Sequence, residues 1–166
     1  MLEGYAGFIS PAYHTHSKRR IAIATWYVVA DAAKARIFQQ HSHKDALDEV
    51  HTLVHPEARS PNAALTSDSP GSQANGGSGS HGMTEKVSPR EAEDQRFARE
   101  VIDQVRQALN TNQVRQFYMA APPHFLGLLR GAMDDRVSKA LAGDLDKNLS
   151  KATAEEALAA FKPRLS

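Results

Sequence analysis

Val114-Arg-Gln-Phe-Tyr-Met-Ala-Ala121, followed at once by Pro122-Pro123-His124-Phe125-Leu126-Gly127, decides how this chain folds. A short apolar run without clean alternation reads as a central strand covered on both faces. The paired prolines end it, because proline lacks an N–H and disfavours helix in the residue before it. A helix follows, with Phe125, Leu128, Leu129, Ala132 and Met133 spaced to face inward. Upstream, Ser88-Pro89-Arg90-Glu91 opens another helix: Ser88 is the N-cap, Pro89 suits the first turn, and Glu91 is placed to close a capping box. Ala98, Val101, Ile102, Val105, Ala108 and Leu109 make its apolar face, and Asn110-Thr111-Asn112 end it.

Nearer the start, Ile21 to Ala30 is rich in β-branched and aromatic residues and reads as a strand. Asp31 to Lys34 make a turn, Ala35 to Gln40 a second strand, and Leu47 to Val54 a third, a meander with short links. Val137 to Leu149 is open between helix and strand, with a strand expected before the next turn. Thr153-Ala154-Glu155-Glu156 starts a last helix through a capping box, and Pro163 ends it. The order predicts a single α/β domain: a mixed five-stranded sheet, a three-stranded meander then strand-helix-strand, with helices on its faces. That order is compatible with a ribonuclease-H-like architecture.

A chain of 166 residues with 41% apolar content fits one domain with one core. Residues 1–20 read as a flexible tail ending in Lys18, Arg19 and Arg20, and the domain as 21–166. Nineteen of the 29 residues from Ser60 to Ser88 are Gly, Ser, Thr, Pro, Asn or Asp, too few apolar groups to offset ordering, so a long mobile loop is expected there. The net charge of +1, from 20 basic and 19 acidic residues, argues against a dedicated duplex-DNA binder. Cysteine is absent, which removes disulfides and thiol chemistry. No apolar run has the length of a membrane span. Lys18-Arg19-Arg20 before Ile21–Ala30 mimics a secretory signal, but the apolar part reads as a strand and Asp31, Lys34 and Arg36 interrupt the cleavage region, so a cytoplasmic location is expected.

The histidine pairs His41/His43 and His51/His55 lack a completing carboxylate spacing, so no metal site and no cofactor is expected. Asp31, at the end of a strand, reads either as a metal carboxylate of a nuclease or as a turn former, and the turn reading is preferred. Ser78, Ser80 and His81 sit in the mobile loop without the orientation that catalysis needs. Glu91, Glu93, Asp94, Arg96, Arg99, Glu100, Asp103 and Arg106 read as a solvated helix face. His124 stands at the C-terminal end of a strand, the edge that ligands favour in α/β sheets. Arg59, Lys86, Arg90 and Arg130 are candidates to flank that edge as a small positive patch, and the glycine-rich loop suits an anionic partner.

Four segments carry a resemblance: Trp26 to Phe38, His55-Pro-Glu-Ala-Arg59, Arg96-Phe97-Ala98-Arg99-Glu100, and Ala121 to Arg130. Together they resemble the bacterial host attachment protein family, over about Thr25 to Lys162. That family is similar to the middle domain of eukaryotic and archaeal peptide-chain release factors and of Pelota. The release factors carry a Gly-Gly-Gln loop before a long helix; here Gly76-Gly77-Ser78 lies in the corresponding loop, and Ser78 has no amide to place a water. What the resemblance implies is a non-catalytic module with a release-factor-like scaffold whose partner is the ribosome or tRNA; the candidate contact residues, read from the loop and the sheet edge, are Arg59, Gly76, Gly77, His81, Lys86, Arg90, His124 and Arg130. The alternatives are a metal-dependent nuclease or ester hydrolase on the same fold, and a protein-binding role in adhesion.

Overall fold

The computed structural model describes residues 23–59 and 87–165. The expected tail, almost all of the expected loop, and Gly76, Gly77, His81 and Lys86 lie outside the described residues. Five strands form one mixed sheet: β1 (Ala24–Ala30), β2 (Lys34–Gln40), β3 (Asp48–Val54), β4 (Val114–Ala121) and β5 (Leu141–Asp146). Their spatial order is β3-β2-β1-β4-β5. The meander pairs antiparallel, and β4 joins β1 in parallel with Trp26 opposite Phe117 and Val28 opposite Met119. β5 extends the sheet in parallel beyond β4.

β1 is buried along its whole length and β4 from Phe117 onward, on both faces, as the apolar content of the two strands requires. Trp26, Val28 and Ala30 point to one face, where helix α1 (Pro89–Asn110), α2 (Pro123–Gly131) and the short α3 (Asp135–Ala140) cover them. Tyr27 and Val29 point to the other, covered by α4 (Ala154–Phe161). Tyr27 stacks on Tyr118 at 5.4 Å and donates its hydroxyl to Gln40 Oε1 at 3.0 Å. Burial, reinforced by Tyr118, pushes the Tyr27 phenol up to about 12.

The helix starts follow the capping chemistry. Ser88 accepts the Glu91 N–H at 3.1 Å, and Thr153 and Glu156 form a complete capping box. The capping box expected of Glu91 is not what its carboxylate does: it reaches His124 instead. At the end of α1, Asn112 adopts a left-handed conformation (φ 54), and Gln113 N–H returns to the Ala108 carbonyl at 2.9 Å. The open stretch 137–149 divides between α3, capped by Asp134, and β5. The His55–Arg59 segment, unassigned from sequence, ends in a single 3-10 turn, Pro56–Arg59.

Arg36 fastens the exposed edge strand. Its guanidinium donates to both carboxylate oxygens of Glu49 on β3, at 3.2 and 2.8 Å, and to the Ala152 carbonyl at 2.6 Å, while lying over the Phe38 ring. Hydrogen bonds from Arg36 and then Thr52 hold the Glu49 carboxyl down at about 2. Arg36→Ala is expected to cost about 1–2 kcal/mol at neutral pH, since Glu49 is partly exposed. The folded-state pKa is depressed, so this contribution is present above the ordinary carboxylate range. It fades as pH falls toward 2, and the gap between urea melts of the two proteins should narrow there to what the Ala152 and Phe38 contacts contribute.

Candidate functional site

β1 and β4 lie side by side in parallel, and the chain leaves them in opposite directions, β1 toward β2 and β4 toward β5. Outside the carboxyl ends of such a pair an α/β sheet leaves a crevice. Here it is a cleft of about 310 Å³ lined by Ala32 after β1, Pro122, His124 and Phe125 after β4, and Ser88, Arg90, Glu91 and Asp94 from the first turns of α1.

Pro122 and Pro123 set the start of α2 and so the position of His124 on its first turn. The His124 ring is largely exposed, and its Nε2 lies 2.9 Å from Glu91 Oε2. Asp94, one helical turn beyond Glu91, is only 5% exposed, and no hydrogen bond to its carboxylate forms among the described residues. Burial pushes its carboxyl above the usual range, Glu91 adds to the rise, and Arg90, His55 and His124 oppose it.

Behind the cleft sits His55, buried. Its Nδ1 is 2.8 Å from the Ala32 carbonyl, which can only accept, so Nδ1 carries the proton. Its ring stacks on Phe97 at 5.0 Å, and Nε2 is 3.5 Å from Glu93. Phe97 in turn meets Phe125 at 5.8 Å. Glu93 also pairs with Arg96.

The sequence-derived candidates fare unequally. Arg90 and His124 both line the cleft. Arg59 closes the 3-10 turn that follows His55. Arg130 lies at the far end of α2 and pairs with Asp144 on β5 at 2.6 Å, so it does not join Arg90 and His124. Asp31 is a turn former: its carboxylate accepts from the Ala33 and Lys34 amides at 2.8 and 2.9 Å and from Ser150 Oγ at 2.6 Å. His51 and His55 do not make a pair, because His51 packs edge-on against Trp26 and His55 against Phe97.

Sequence reasoning placed Asp94 on a solvated face, and the structure corrects this: Asp94 is buried. The signal was present. Asp94, Ala98, Val101 and Val105 follow one another at helical spacing, so the carboxylate is in phase with the apolar stripe.

Residues 26–159 match the family described as protein required for attachment to host cells. The chain belongs to that family. A comparison with curated proteins finds no match. Among solved structures the chain is similar to the archaeal translation termination factor aRF1, at 13% identity and a TM-score of 0.43, over 86% of this chain and 38% of that one. An archaeal protein is similar at 13% identity and a TM-score of 0.43, over 87% of this chain and 40% of the other. The chain thus spans about two fifths of the solved chains it matches.

In this member of the host attachment family, the four segments that carry the resemblance meet at one place. Ala32 belongs to the first, His55 to the second, Phe97 to the third, and Pro122, His124 and Phe125 to the fourth. Ala32 bonds to His55, His55 stacks on Phe97, and Phe97 touches Phe125. The chain of contacts ends at the floor of the cleft.

Proposed function

We propose that this member of the host attachment family is a binding module that engages a structured RNA, ribosomal RNA or tRNA, with the sheet edge around the cleft, and that it does so in the cytoplasm. The observation that carries the reading is the meeting of the four family-like segments at that edge, with Arg90 and His124 at its mouth. Arg59 and Lys86 flank, in sequence, the segment that holds Gly76, Gly77 and His81, which runs between the 3-10 turn and α1. In this reading the cations contact phosphates and the glycine-rich segment supplies backbone amides. Among the described residues no helix is long and apolar enough to cross a membrane.

Filter binding to ribosomes and to tRNA across a salt series tests this. Affinity should fall steeply with salt, and Arg90→Ala should weaken binding to every RNA alike and reduce the slope of log K against log salt by about one. Absence of salt-dependent binding would remove the RNA reading. Retention of a protein partner in its place would favour the adhesion role that the family description names.

A further inference from the structure

We propose that Glu91, Asp94 and His124 form a binding site for a divalent transition-metal cation of the Mn²⁺ or Zn²⁺ class. One ligand atom from each residue lies within 4.8 Å of the other two. Glu91 and Asp94 project from adjacent turns of α1, and His124 comes from the first turn of α2, so the convergence is made by the packing of the two helices. Two carboxylates and one imidazole suit this class of cation, since the imidazole disfavours Mg²⁺ and Ca²⁺ and the carboxylates match a double charge.

The second observation is Asp94 itself. Its side chain lines the cleft, is 5% exposed, and has no hydrogen-bond donor among the described residues. Arg90, His55 and His124 favour its charge from nearby, but none donates a hydrogen bond to it, and a carboxylate this largely buried is ordinarily hydrogen-bonded, paired or bound to a metal. The cleft, at about 310 Å³, leaves room for waters to complete the coordination sphere beside three protein ligands. The Glu91–His124 hydrogen bond of 2.9 Å already holds two of the three ligands together. A bound cation would offset both carboxylates and leave Arg90 in excess at the mouth, which is how an acidic cleft comes to accept an anionic partner. The site does not rest on the RNA reading, because its test uses the metal alone.

The full chain, stripped with chelator and dialysed, is titrated with MnCl₂ followed by electron paramagnetic resonance, and with ZnCl₂ followed by calorimetry. The expected result is saturable binding of one equivalent that raises the melting temperature. Asp94→Asn and His124→Ala should each weaken that binding about tenfold or more, the least that even an outer-shell change costs at such sites. His41→Ala and His43→Ala, away from the cleft, serve as controls and should leave it unchanged. In chelator, Asp94→Asn should melt no lower than the wild type, since it keeps the shape and removes a buried charge. No saturable binding, or binding as tight in His124→Ala as in the wild type, would overturn the site. So would an Asp94→Asn protein that melts well below the wild type in chelator, for that would give the carboxylate a structural partner instead. His124 is exposed, so its variant tests the ligand set without disturbing the core.

Discussion

Phe161→Ala is expected to destabilise the protein by about 3–5 kcal/mol, the cost of emptying a fully buried aromatic site. The reason is how thinly one face of the sheet is covered. On that face Tyr27, Val29, Phe38, Tyr118 and Ala120 are capped by α4, whose buried residues are Ala157 and Phe161. Phe161 meets Tyr27 at 5.3 Å and Tyr118 at 6.0 Å. A helix of eight residues is far below the length at which a helix holds in water by itself, so it depends on this docking despite its capping box. Urea unfolding should show the loss, and hydrogen exchange should show residues 154–161 opening first. A change under about 1 kcal/mol would mean that α4 is not the cover that it forms in the structure. The cleft lies across the sheet from Phe161, so metal binding should survive in the fraction that is folded.

Phe97→Ala should cost a similar amount, about 3–5 kcal/mol, with a different second consequence. Phe97 is fully buried in the larger core and stands between His55 and Phe125. Removing its ring takes away the surface on which His55 stacks and the support beneath the first turn of α2. The cleft should therefore loosen along with the core. The measurement is a pair: urea unfolding for stability, and imidazole proton shifts of His55 and His124 under native conditions. Unchanged shifts at both histidines would mean that the core does not set the geometry of the cleft. Comparing Phe97→Ala with Phe161→Ala at matched stability separates loss of fold from loss of the site, since only Phe97 packs against a residue that lines the cleft.

Much of the scaffold could be read ahead of the structure because it rests on local physics. β4 runs from Val114 to Ala121 as its apolar run and the prolines after it require, and α1 begins after Ser88 as its cap requires. β1, β2 and β3 follow the expected order. The stretch from Val137 to Leu149 was ambiguous because it is short on both counts: six residues of helix and six of strand carry too little periodicity to tell them apart. The meander and the strand-helix-strand unit made a mixed sheet legible, but which edge of the meander β4 joins, β1 and not β3, was decided by the tertiary structure.

The site was legible only in fragments. His124 stood out through its place after the strand, and Arg90 through its place at a helix start. Glu91 was assigned to a cap, a contact three residues away, whereas its carboxylate finds a histidine thirty-three residues later. Nothing local marked His55 as buried; its burial depends on Ala32, Phe97 and the turn that brings them together.

The sequence by itself determined the elements, their order and the two apolar faces of the central strands, because helix caps, proline stops and residue periodicity act within a few neighbours. Only the tertiary structure decided that Glu91 turns to His124 and that Arg130 pairs with Asp144 away from the cleft. Those outcomes depend on how α1 and α2 cross the sheet edge. A carboxylate's surroundings are set by whatever the fold carries to it from distant positions, and no local spacing records that.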